Sequence, residues 1–502
     1  MALGTYEGLI STTNLLIATG IVLVTTTIVH NFWSWYRLRH IPGPFLHSVT
    51  SFVLLKKVFE GDSPAYLDGL AQKYGPLVRI GPNEVMLTDP DIRRLSAIRS
   101  PYTRGSFYEG SRAVPNKDHI LSTMNDQKHK ELRRMEHRGY AGLDFGGFEA
   151  GLNEMLAAFI ELIQRKYIST GIESRPMEFA HRTQFFTLDV ISKLAYGQPF
   201  GCIAQDRDIF NYIAQTEWAL PFVAVFTTLP ALNTLKDRWP LSAFMPHEKD
   251  TFGLGCMMGF ATKLVDARLS PNGHPGRDIV QSWINHGLPR DQIIQDILLQ
   301  VMAGSDTTAT ALRMTLLFLI NSPQALRCLR EEIDTRFQSG AISSPITNAE
   351  ALAMPYLQAV IREGTRLFPP ATGLAEKVVP KGGDTLHGFY VPKGTQVGQN
   401  MWGILRLKNI FGEDADVFRP ERWLEADEEQ LKAMQNTWAL VFGSGKYECL
   451  GKTLALMQLN KFFVELLRRF DFAVLNPLTP LKLHNASVWM TNDFWVRITW
   501  RE

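Results

Sequence analysis

The residues best placed to do chemistry lie in three short stretches. In "FGSGKYECLGK", Phe442 to Lys452, a single cysteine sits inside a glycine-rich loop. Cys202, Cys256 and Cys328 are far from it and from one another, and there is no C-x-x-C pair. That spacing argues against a zinc site and a disulfide framework, and it fits a reducing compartment. In "AGSDTT", Ala303 to Thr308, a glycine, a carboxyl and three hydroxyls interrupt a strongly apolar helical pattern. In "EGTR", Glu363 and Arg366 stand three apart on one helical face. Downstream, "FRPERW" offers Arg422, whose planar fork suits bidentate binding of the Glu363 carboxylate in a buried cluster.

Each stretch requires a particular element around it. The apolar pattern from Pro289 to Asn321 predicts the longest helix, opened by Pro289 and Asp291, with "AGSDTT" in its middle. Glycine is poor in a helix interior, and Ser, Asp and Thr compete for backbone hydrogen bonds, so a local helix opening facing an interior pocket is expected there. "PYLQAVIREGTRLFPP" reads as a second helix that stops at Pro369 and Pro370. Around the cysteine, "WALVF" reads as a strand or extended entry and "KTLALMQLNKFFVELLRRF" as a long amphipathic helix. Strand, glycine loop, "GKT" and helix is also the layout of a phosphate-cradling loop. The spacing fails by one, because Lys446 stands where that motif needs glycine and Gly445 falls one residue early. The chain left after it is also too short to build the parallel sheet of such a domain.

Strand-like pieces with turn formers occur in "LVRIGPNEVMLTD", "LHGFYVPKGTQVGQN" and "VWMTNDFWVRITW". The expected class is therefore mainly α with small β-sheets (α+β). With 502 residues, 45% hydrophobic and 20% charged, the chain can bury a large core. Its 52 Lys+Arg against 50 Asp+Glu leave no net basic field of the kind that a dedicated nucleic-acid binder needs.

No charged residue occurs between Glu7 and Arg37, and "LLIATGIVLVTTTIV" is the apolar centre of that interval. This is enough for one transmembrane helix, which needs roughly 20 residues. Trp33, Trp35 and Tyr36 form an interfacial belt, and Arg37 and Arg39 keep the rest of the chain in the cytosol. "HIPGP" follows as a stiff hinge. Residues 1–40 are thus expected to form an anchor and hinge, and residues 41–502 one catalytic domain. This topology leaves "NAS", Asn485 to Ser487, unglycosylated.

From "IPGP" to its end, the chain resembles the cytochrome P-450 superfamily of haem-thiolate enzymes. The resemblance rests on "AGSDTT", "EGTR", "PERW" and the cysteine loop, in that order. "YTRGSFYEG" and "FGSGKYECLGK" resemble more loosely the pisatin-demethylase-like branch of fungal secondary-metabolite oxidases. The resemblance implies a P-450 fold and haem b, with Cys449 as the axial thiolate of the iron. Phe442, Gly445 and Gly451 would pack around that thiolate, and Ala303 and Gly304 would border the haem. Asp306 and Thr307 would deliver protons to the dioxygen being reduced. Glu363, Arg366 and Arg422 would form the structural cluster.

Two departures stand out. Tyr447, beside Lys446, occupies the place of the family's usual Arg or His propionate contact. The family's Trp-x-x-x-Arg appears as "HKELR", with His129 for tryptophan and Arg133 retained. Arg133, His129 and Lys377 are assigned to the propionates.

The activity implied is monooxygenation of a hydrophobic small molecule, a secondary-metabolite intermediate. Electrons would come from NADPH through a membrane-bound cytochrome P-450 reductase, with cytochrome b5 as a further possible donor. The location implied is the endoplasmic reticulum membrane. Lys128, Lys130, Arg134, Arg138, Lys446 and Lys452 form a candidate docking face for the reductase. By position in the family, Tyr102 to Leu121, the segment around Trp218, Phe222 and Phe226, Leu298 to Thr307, Ala371 to Leu374, and Val488 to Met490 would line the pocket. Two other classes stay open: a reductase-independent haem-thiolate isomerase or dehydratase, and a haem-binding sensor without turnover.

Overall fold

In this computed structural model the chain is described at residues 2–112, 114–229, 232–233, 237–238 and 240–501. Of the side chains in the first helix, those at 14, 15, 17–22, 25, 26, 28, 29 and from 32 onward are described. The architecture is a helical mass with small sheets at its margins.

The central helix, Arg290–Ile320, is capped by Pro289 and carries Asp291 in its first turn, where a carboxylate complements the helix dipole. At 1.5 Å per residue it runs about 46 Å. Most of its length is buried, from Ile293 to Leu319. It packs against the helices Phe179–Tyr196, Gly253–Leu269, Pro355–Leu367 and Lys452–Leu467.

The expected opening at "AGSDTT" is not present: the helix runs through it unbroken. The Ser305 hydroxyl donates to the Val301 carbonyl and that of Thr307 to the Ala303 carbonyl, each at 2.7 Å. The hydroxyls thus bond back one turn alongside the ladder instead of displacing it. Gly304 has a packing reason to be there, since a Cβ on it would come within 3.3 Å of Ile191 on the crossing helix Phe179–Tyr196.

The largest sheet has five strands in the order Leu77–Arg79, Glu84–Leu87, Gln396–Gln399, Lys377–Val378 and Thr103–Arg104. Glu84–Leu87 and Gln396–Gln399 pair in parallel, and the other neighbours are antiparallel. Chain-terminal strand Trp495–Trp500 lies between Met177–Glu178 and Phe470–Val474. Two hairpins, Asp384–Leu386 with Phe389–Val391 and Lys482–Asn485 with Trp489–Asn492, complete the strands among the described residues.

"WALVF" is not a strand. Ala439–Phe442 forms a 3-10 turn that continues the helix Glu428–Trp438 into the cysteine loop.

The first helix, Ala2–Leu38, is continuous, and its last turns belong to the body. Ser34 and Leu38 are buried, and Arg37 Nη2 donates to the Lys393 carbonyl at 2.7 Å. The transmembrane span expected ahead of the body is not supported: among the described residues no helix is long and apolar enough to cross a membrane. Part of "LLIATGIVLVTTTIV" lies outside the described side chains. The "HIPGP" hinge lies against the five-stranded sheet, with the Arg79 N–H donating to the Pro42 carbonyl at 2.8 Å. A Cβ on Gly43 would meet the Arg79 carbonyl at 2.5 Å, so glycine is required for that approach.

Candidate active site

A cavity of about 1270 Å3 lies between the central helix and the cysteine loop. From the helix come Ala303, Gly304, Asp306 and Thr307, and from the loop Phe442, Tyr447, Cys449 and Gly451. The loop is shaped by close approaches. Gly443 and Gly445 adopt positive φ, and a Cβ on Gly445 would meet the Ser96 carbonyl at 2.0 Å, so this glycine seats the loop on the turn Pro90–Ser96. The Cys449 N–H donates to the Phe442 carbonyl at 2.7 Å, closing the loop. Helix Lys452–Leu467 starts directly after Gly451, so Cys449 sits at its positive end.

The Cys449 side chain is exposed, but to the interior cavity. Surrounding protein still pushes the thiol up by burial, opposed by the N–H groups of Gly451 and Lys452 and the charge of Arg133.

Asp306 opens onto the cavity but is held from behind. Its Oδ1 accepts from Gln184 Nε2 at 2.6 Å and its Oδ2 from the Tyr212 hydroxyl at 2.8 Å. Burial raises its pKa to about 6, with Tyr212, Arg313 and Gln184 opposing the shift.

Away from the cavity, Glu363 is fully buried and saturated. Arg366 meets it through Nε and Nη2 at 2.9 and 2.8 Å, and Arg422 Nε at 2.9 Å. Trp423 Nε1 and the Arg419 N–H supply further donors at 2.9 and 3.0 Å. Arg366 also donates to the carbonyls of Leu405 and Ala415, tying the helix Pro355–Leu367 to the segment that leads to the cysteine loop. These contacts hold the Glu363 carboxyl below its usual value against the opposing effect of burial.

A cytochrome P450 family model matches residues 42–493. The chain belongs to the cytochrome P450 family. It is 39% identical over 494 residues to the cytochrome P450 monooxygenase ABA1 of Pyricularia oryzae, covering 96% of each chain. To the cytochrome P450 monooxygenase aba1 of Botryotinia fuckeliana it is 34% identical over 467 residues, covering 92% of each. To the cytochrome P450 monooxygenase cicH of Emericella nidulans it is 29% identical over 476 residues, covering 92% of this chain and 94% of the relative. This P450 is accordingly a monooxygenase whose family cofactor is haem, with iron and a cysteine thiolate as axial ligand.

The residues lining the cavity fit that cofactor. Arg104, Arg133 and Lys377 all line it, yet none has a side-chain carboxylate partner among the described residues. Arg104 is buried and its Nε has no partner at all. A buried guanidinium left so is costly unless an anion completes it, and haem carries two propionates. Its cation lies 4.6 Å from the Tyr447 ring centroid, so the strand Thr103–Arg104 brings a positive charge beside the cysteine loop. Sequence reasoning missed Arg104, although "YTRG" was in view, because its approach to Tyr447 exists only in the fold.

Other assignments change. Lys446 faces away from the cavity: its Nζ bonds Asp126 at 2.6 Å and the carbonyls of Ser100 and Tyr102. Its ammonium is therefore engaged away from the cavity and little exposed. His129 does line the cavity, but burial and the charges of Arg104 and Arg133 push its pKa down to about 3, leaving it neutral. Arg133 Nη1 donates to the Glu448 carbonyl. Lys452 pairs with Glu448 and Arg138 with Asp144, each at 2.9 Å, and Lys128, Lys130, Arg134 and Arg138 are exposed along the helix Asp126–Tyr140.

Of the expected pocket segments, Phe107, Trp218, Phe222, Phe226, Met302 and Val488 contribute apolar lining. Leu374 instead borders a second, small cavity. The segment from Phe244 to Gly255 also reaches the main cavity and carried no periodic signal that would have found it.

Proposed function

We propose that this P450 inserts one oxygen atom from dioxygen into a hydrophobic small molecule, a secondary-metabolite intermediate, with electrons from NADPH delivered by a cytochrome P450 reductase. The observation that carries this reading is a single cavity bordered by both the Cys449 loop and the Asp306–Thr307 pair. Its aromatic and aliphatic lining supports a substrate bound by apolar contact. The names of the three relatives, all monooxygenases, support oxygen insertion over rearrangement.

Bound haem would supply the iron that activates dioxygen. Cys449 would hold it through Sγ, and Arg104, Arg133, Lys377 and Tyr447 would hold its propionates. The apolar lining orients the substrate and excludes bulk water. Thr307 Oγ1 lies at the cavity wall with its proton donated to the Ala303 carbonyl, and a turn about χ1 would bring that proton towards the cavity. Asp306, with a pKa of about 6, can hold or release a proton near neutrality, as a general acid requires. Lys128, Lys130, Arg134 and Arg138 give the reductase a basic face next to the thiolate side. The exposed Leu15, Ile17, Ile21, Val22, Ile28 and Val29 support contact of the first helix with membrane lipid.

The test is reconstitution with reductase and NADPH under labelled dioxygen, with candidate intermediates supplied and products analysed by mass spectrometry. One labelled oxygen per product, dependent on reductase, is expected. Product formed without reductase or dioxygen would replace this reading with the isomerase or dehydratase.

A further inference from the structure

The two donors that hold Asp306 differ in what they can do with a proton. Arg313, buried on the same helix, donates through Nη2 to Gln184 Oε1 at 2.7 Å and through Nε to Thr183 Oγ1 at 2.8 Å. With its oxygen engaged by a guanidinium, Gln184 must turn its NH2 towards Asp306. An amide fixed in this way donates a hydrogen bond but passes no proton on. A phenol can accept a proton on oxygen while giving up its own hydrogen.

Tyr212 is buried, its hydroxyl lies 3.4 Å from the Ser305 hydroxyl, and buried Thr216 stands one turn further along the same helix. It opens the helix Tyr212–Thr228, where Asp208 accepts from the Tyr212 and Ile213 N–H groups at 2.7 Å each and fixes the ring's starting point. Farther along, the same helix supplies Thr216, Trp218 and Phe222 to the cavity wall, and Glu217 stands half-exposed beside them.

We propose that Tyr212 is a positioning residue for oxygen activation, which holds Asp306 and reloads it with protons. The inference rests on the reading of Asp306 as a proton-delivery group. A proton arriving from the Thr216 side binds the Tyr212 oxygen as the phenol's own hydrogen passes to Asp306 Oδ2. Asp306 then releases a proton towards Thr307. One proton enters, one leaves, Tyr212 ends as it began, and no electron moves.

The test uses full-length, haem-loaded protein with reductase, NADPH and dioxygen, the last being the probe. Peroxide released per NADPH and the solvent isotope effect on NADPH oxidation are measured for the wild type, Tyr212→Phe and Asp306→Asn. With the relay cut, proton delivery should slow by about tenfold or more. Both variants should then release a larger share of NADPH equivalents as peroxide, with an altered isotope effect and an unchanged carbon monoxide spectrum. A purely structural role for Tyr212 would lower the melting temperature and leave both ratios alone. Uncoupling in Asp306→Asn but not in Tyr212→Phe overturns this proposal and leaves the Asp306 reading standing. Wild-type coupling in both overturns both. If Tyr212→Phe loses haem, Thr216→Val takes its place: a smaller rise in peroxide supports the relay, and none overturns it.

Discussion

Arg133 Nη1 donates to the Glu448 carbonyl at 2.6 Å, one residue before Cys449. The helix Asp126–Tyr140 is thereby tied to the backbone that presents the thiol, and the same guanidinium lines the cavity. Arg133→Met removes both the tie and a cation available to a propionate. We expect faster haem loss to a scavenging apoprotein, with Arg133→Lys intermediate because a point charge cannot make both contacts in fork geometry. Wild-type haem retention in Arg133→Met would remove the residue from the cofactor site.

Cys449→Ser should abolish the red-shifted Soret band that a thiolate-ligated haem gives when reduced with carbon monoxide. The hydroxyl fills nearly the same space, so the loop bond from the residue-449 N–H to the Phe442 carbonyl should persist and folding should survive. A red-shifted band that remains in the variant would place the axial ligand elsewhere.

Thr307→Ala removes a hydroxyl whose resting partner is a carbonyl of its own helix, so the unbroken helix should be undisturbed. A positioned proton donor is typically worth about 100- to 10,000-fold in rate. The variant should still consume NADPH with reductase present, but it should yield more peroxide and less oxygenated product per NADPH. Unchanged coupling would exclude Thr307 as the donor.

Glu376 is buried with Oε2 unpartnered, and burial together with the charge of Glu84 raises its pKa to about 8. The folded state therefore keeps a proton that the unfolded chain loses at lower pH. Its contribution is fully present below the unfolded value and is lost as pH rises through about 8. In that window stability should fall by up to about 1.4 kcal/mol per pH unit. Urea unfolding between about pH 5 and pH 8 should show this slope in the wild type and a flatter one in Glu376→Gln. An equal slope in both would assign the pH dependence to another group.

Deleting residues 1–31 should release much of the protein from membranes while leaving the carbon monoxide spectrum intact. The cut spares Ser34 and Leu38, which are buried in the body, and the Arg37 bond to Lys393. Full retention on membranes after the deletion would locate the lipid contact in the body.

The sequence by itself determined the features that depend on local chemistry and spacing. The lone thiol in its glycine loop, the Glu363–Arg366 pair and the apolar run of the central helix all follow from residue type and periodicity, and they carried the family resemblance. The strands around Val85, Tyr390 and Val496 were legible for the same reason, as alternation flanked by turn formers. Tertiary structure decided what depends on contacts between distant segments. "AGSDTT" stays helical because the crossing helix accepts Gly304 and the hydroxyls bond back along their own turn, a balance that propensity alone does not set. Asp126 engages Lys446, which position along the chain suggested for the cofactor, and the fold carries Arg104 to Tyr447 from more than 300 residues away. Tyr212 meets Asp306 only because two helices cross there, and no pattern along the chain encodes a distance between them.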